Sequence, residues 1–161
     1  MNKKSVLALS LIGGSVATAA LLGARFNPAP GTETGDWYSR QRKSPLNPPD
    51  QIFAPVWTTL YTLMAVSAYR VWRAPESPSR DAALRLWTTQ LALNAAWSPL
   101  FFGAKKPVLP LVDLLALIAA QSAFVRKAKD TDRLAAWLFA PYMAWVLCAG
   151  YLNAEIVRRN W

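Results

Sequence analysis

The chain contains no histidine, a single cysteine, and only nine acidic residues in 161. Without histidine there is no usual zinc or haem ligand, no commonest general base, and no Ser-His or Cys-His catalytic pair. Cys148 alone forms no intramolecular disulfide and leaves the redox compartment undetermined. Charge is scarce at 17% of residues against 53% hydrophobic, and there is neither an internal repeat nor a low-complexity segment. The length is that of one domain over 1–161.

The placement of the few charges carries the argument. Five runs, 5–24, 51–69, 86–104, 107–125 and 134–154, hold one charged residue between them, Asp113. A helix needs about 20 apolar residues to cross about 30 Å of hydrocarbon. Each Lys, Arg or Asp at its centre costs about 2.5–3.5 kcal/mol, enough to sweep charges into the connections. A water-soluble bundle would instead carry charged faces every three or four residues. The expected architecture is therefore all-α: a polytopic five-transmembrane-helix bundle with helices near 5–24, 51–70, 82–103, 107–126 and 134–157 and a long first loop, 25–50.

Lys3 and Lys4 before an apolar stretch with Ala17-Thr18-Ala19 also resemble a signal peptide. The stretch from Val6 to Ala24 is long for one, so a retained first helix is expected. The net charge of +9 is scattered over every loop, which suits lipid headgroups and not nucleic acid. Lys and Arg number ten on one side and eight on the other, so the positive-inside rule does not set the orientation.

Eight tryptophans stand out. Trp72, Trp87, Trp137 and Trp161 fall near expected helix ends and suit an interfacial belt. Trp97 and Trp145 fall mid-run, where they fill a core or line a cavity. Helical spacing puts Gln90, Asn94, Trp97 and Phe101 on one face. It does the same for Trp57, Tyr61, Met64, Ala65 and Ala68, and for Tyr142, Trp145, Ala149, Leu152 and Asn153 after Pro141. Three such faces describe either a pocket for a flat apolar ligand or a packed aromatic core.

The segments Trp37-Tyr38, Asn47-Pro48-Pro49, Pro55 to Tyr61, Gln90 to Phe102, Pro141 to Trp145 and Leu152-Asn153, in that order, make the chain resemble the TspO/MBR family of tryptophan-rich sensory and translocator proteins. The resemblance covers nearly the whole chain. It implies a five-helix bundle, often a homodimer, that binds porphyrin or haem-type tetrapyrroles, and in some members isoquinoline-type ligands, beneath the first loop. Carried over by position, it points to Trp57, Asn94 and Trp145 as ligand contacts, with Trp57 and Trp145 also the candidates for porphyrin breakdown. Tyr61, Trp97, Phe101, Tyr142 and Ala149 accompany them, with Trp37, Leu46 and Pro48 as a loop lid. Leu46 stands where many relatives have tryptophan, and Tyr151 lacks the nearby basic residue of the animal sterol motif.

The leading expectation is a tetrapyrrole-binding sensor, regulator or carrier. It needs no metal or further cofactor and sits in the bilayer of a bacterial cell, inner versus outer membrane undecided. Propionates would meet Arg40, Arg42 or Lys43 of the first loop. One alternative is a light- and oxygen-dependent enzyme that degrades bound porphyrin. A second is a proton-coupled small-molecule transporter, suggested by Asp113.

Overall fold

Residues 2–161 are described by a computed structural model that is helical throughout. The elements are α1 (Lys3–Arg25), α2 (Glu33–Ser39), a 3₁₀ turn (Asp50–Ile52), α3 (Phe53–Arg73), α4 (Pro78–Ser98), a π-helical turn (Pro99–Gly103), α5 (Leu109–Lys129) and α6 (Arg133–Asn160). Local chemistry sets the boundaries. Asn2, Thr32, Ser77 and Asp132 cap α1, α2, α4 and α6, each side chain accepting a first-turn N–H. Pro78 and Pro110 sit in first turns, where a missing N–H costs nothing. At Pro99 the missing N–H breaks the α pattern, and Ala104 donates back to the Pro99 carbonyl at 2.9 Å as the π turn closes. Lys105, with φ 53°, then reverses the chain into α5.

The five long helices form a ring in the order α1, α3, α6, α5, α4, with α4 closing back on α1 and α3 touching α4 across the middle. Its surface reverses that of a water-soluble bundle. Leu7, Leu11, Leu21, Val112, Leu115 and Leu147 point outward, each more than half exposed, while Ser67, Gln90, Asn94, Gln121 and Asn153 are buried. Outward hydroxyls are satisfied within their own helices: Ser15, Thr18, Thr58, Thr59, Thr62, Thr88 and Thr89 all donate to the carbonyl four residues back. Hydrocarbon offers no other partner, so this is the pattern a bilayer demands. Asp50–Arg73, α1, α5 and α6 are each long and apolar enough to cross a membrane. Arg80, Asp81, Arg85 and a run of Thr and amide residues leave α4 more polar than these.

The first loop, 25–50, contains the short helix α2. One residue departs from expectation. Trp87, assigned by its place in the run to the headgroup level, is only 4% exposed, and its Nε1 donates to the Met64 carbonyl at 3.1 Å. The helix begins at Pro78, two turns before the charge-free run, and this draws Trp87 into the bundle. Trp137 and Trp161, 72% and 64% exposed, lie outside it.

Candidate functional site

A cavity of about 830 Å³ opens within the ring beneath the first loop. That is inside the range of about 300–1,000 Å³ usual for small-molecule sites. Small residues of α1, namely Ala20, Gly23 and Ala24, leave one side hollow. On α3, Trp57, Tyr61 and Ala65 line the wall, and Thr58, Thr62 and Val66 line it while exposed, so the cavity is not sealed along α3. Asn94, Trp97, Ser98 and Phe101 come from α4 and its π turn, and Trp145, Ala149, Leu152 and Asn153 from α6.

Rings crowd the site, some crossing at steep angles and others stacked or tilted. Trp57 and Trp145 have centroids 6.5 Å apart at 85°, and Trp57 lies 5.2 Å from Tyr61. Phe53 meets the edge of Trp145 at 5.7 Å. Trp97 stacks on Phe101 at 4.8 Å and 13°. The Tyr61 hydroxyl donates to Asn94 Oδ1 at 2.9 Å, so the amide oxygen is engaged and the amide nitrogen is left for other contacts.

Seven residues singled out by sequence therefore share one cavity: Trp57, Tyr61, Asn94, Trp97, Phe101, Trp145 and Ala149. Tyr142 does not line it. It is fully buried behind Trp57, 6.2 Å away, and packs on Phe139. Nor do the expected lid residues Trp37, Leu46 and Pro48 line the wall. Trp37 packs edge-on to Phe101 at 5.7 Å, and Leu46 is 71% exposed. Their neighbours Tyr38, Asn47 and Asp50 line it instead. The motif segments were visible in sequence, but the rotation of a helix in the loop decides which member of Trp37-Tyr38 faces inward. Phe53, at the start of α3, was missed altogether.

The lid is tied down at several points. Glu33 pairs with Lys105. Asn160 Oδ1 accepts from the Arg42 N–H at 2.9 Å, and its amide donates back to the Arg42 carbonyl at 3.1 Å. Lys43 Nζ sits 3.9 Å from the centre of the Tyr38 ring. Burial, and then the nearby Asp50 carboxylate, push the Tyr38 phenol above its ordinary range against a hydrogen bond with Asn47. Asp113 Oδ2 is buried without a partner, but Asp113 does not line the cavity. No group of His, Cys, Asp or Glu fit to hold a metal occurs among the described residues.

Residues 11–159 match the profile of the TspO/MBR family. The chain is 38% identical to the translocator protein of Bos taurus over 86% of this chain and 82% of that one. It is 35% identical to the tryptophan-rich protein TspO of Chlorobaculum tepidum over 99% of each chain. It is 33% identical to the tryptophan-rich sensory protein of Cereibacter sphaeroides over 95% and 89%.

Proposed function

The chain belongs to the TspO/MBR family, and on that premise we propose that it spans the membrane five times and binds a porphyrin or haem-type tetrapyrrole beneath the first loop as a sensor, regulator or carrier. The observation that carries this reading is that the indoles of Trp57, Trp97 and Trp145 share one cavity with Tyr61 and Asn94. Flat rings offer a macrocycle dispersion and edge contacts, and the amide gives it one polar anchor. The unsealed side along α3 suits a ligand that partitions into lipid. α4 counts as a span here because Gln90 and Asn94 face inward and Thr88 and Thr89 bond their own helix. Titrating protoporphyrin into the detergent-solubilised protein tests the reading. Saturable quenching of tryptophan emission is expected, with binding weakened in Trp57→Phe and Trp145→Phe. An unchanged midpoint in both variants would remove the site.

The crossed Trp57 and Trp145 rings favour a second reading, photo-oxidative breakdown of the bound ligand. Excited porphyrin would take an electron from indole and dioxygen would act as the terminal oxidant, so no histidine base is required. Under illumination in air the protein should bleach porphyrin to a distinct product faster than detergent does. Equal rates would exclude it.

A further inference from the structure

The electrostatics of the cavity run against those of the chain. Although the protein carries 18 Lys and Arg and a net charge of +9, no Lys or Arg lines the cavity, and its one charged lining residue is Asp50. Asp50 opens the 3₁₀ turn that leads into α3, a position where the helix start favours a carboxylate. It makes no ion pair among the described residues. The nearby cation, Lys43, is held over the face of Tyr38 and is not on the wall.

A second, independent feature has the same sign. Asn153 is 1% exposed, and its Nδ2 donates to the Pro107 carbonyl at 2.7 Å. A carbonyl only accepts, which fixes the orientation of the amide. Its Oδ1 is therefore a buried acceptor without a partner, on a residue that lines the cavity. A buried polar atom left unpaired is destabilising, a loss that a donor on a ligand would recover. The free donors on the wall, Trp97 Nε1 and the Asn94 amide N–H groups, suit a neutral acceptor such as a carbonyl and do not balance a full negative charge.

We propose that Asp50 and Asn153 form an acceptor subsite at the loop end of the cavity, selecting flat ligands whose polar edge carries a protonated amine or a neutral N–H or O–H donor and disfavouring a free carboxylate there. The proposal rests on the reading that the cavity takes a flat ligand. It further implies that a tetrapyrrole binds with its carboxylates turned away from Asp50 or blocked as esters.

The test uses two isoquinolines that differ only in bearing an aminomethyl or a carboxylate group, titrated into the full chain in lipid nanodiscs at pH 7. The amine is expected to bind about tenfold more tightly, from about threefold attraction and about threefold repulsion at a partly solvated carboxylate. Asp50→Asn should bring the ratio to within about twofold, and Asp50→Lys should invert it. Asp50 is exposed, so both variants are expected to fold, as far-ultraviolet circular dichroism will check. A ratio unchanged in Asp50→Asn overturns the subsite, as does failure of both probes to bind. If the amine preference follows Asp50 while protoporphyrin does not bind, the tetrapyrrole reading fails and the subsite stands.

Discussion

The hydroxyl of Tyr61 on α3 donates to the side-chain oxygen of Asn94 on α4 at 2.9 Å, bridging two helices at the inner end of the cavity. Asn94 is 7% exposed, so the bond both stitches the bundle and presents the remaining amide hydrogens to the site. Removing either partner therefore acts on stability and on the ligand contact together.

Tyr61→Phe is expected to cost about 0.6–1.7 kcal/mol, the scale of interhelical hydrogen bonds in membranes. Thermal unfolding in detergent measures it. Asn94→Leu should cost less in the Tyr61→Phe background than alone, whereas additive losses would show that the two side chains are uncoupled.

Trp87→Phe removes a buried indole and its bond to the Met64 carbonyl, a loss of about 1–3 kcal/mol in unfolding free energy. Trp137→Phe, on the exposed side of α6, should stay within about 0.5 kcal/mol of the parent. Neither residue lines the cavity, so ligand titrations of the two variants should superimpose on the parent's.

Gly35 leaves no room for a side chain: a Cβ there would lie 2.1 Å from the Ala29 carbonyl oxygen. Gly35→Ala must displace α2 and carry Tyr38 off the cavity wall. Faster amide exchange across residues 33–39 is expected, with ligand affinity about tenfold weaker, equivalent to about 1.4 kcal/mol. Exchange and affinity matching the parent's would show that α2 does not cover the site.

The lid pair titrates with acid. A hydrogen bond from Lys105, then its charge, holds Glu33 below its ordinary 4.5; at Asp132 burial, which raises the carboxyl, is outweighed by the sum of hydrogen bonds from Ala135 and Arg70 and the Arg70 charge, which hold it below 3.8. A depressed folded value means that the stabilisation is complete above the unfolded pKa and is lost as pH falls through the folded one. Loop protection and the unfolding midpoint should therefore decline as pH drops below these ordinary values. Lys105→Gln should remove the loop's share. Asp132→Ala should cost about 0.5–2 kcal/mol near neutral pH through the lost α6 cap.

The inward faces were readable because helical spacing fixes which side chains lie together once an apolar run is long enough. Trp57 with Tyr61, Asn94 with Trp97 and Phe101, and Trp145 with Ala149 all line one cavity for that reason. Trp87 misled because charge marks where hydrocarbon ends and not where a helix ends, and α4 continues two turns past Arg85. Trp37 misled because the short helix α2 has no long apolar period to set its phase, and Leu46 because it lies in a turn, where no helical repeat fixes its direction.

Charge-free runs and residue spacing alone determined an all-helical membrane chain and the three faces that turn inward, because desolvation of charge and the helical repeat act locally and need no partner. Only tertiary structure decided that those faces enclose a space of about 830 Å³ instead of meeting in a packed core, and that Tyr38, Asn47 and Asp50 close it. Those outcomes depend on small residues in α1 and on tethers such as Arg42 to Asn160, which join segments 118 residues apart and leave no periodic trace.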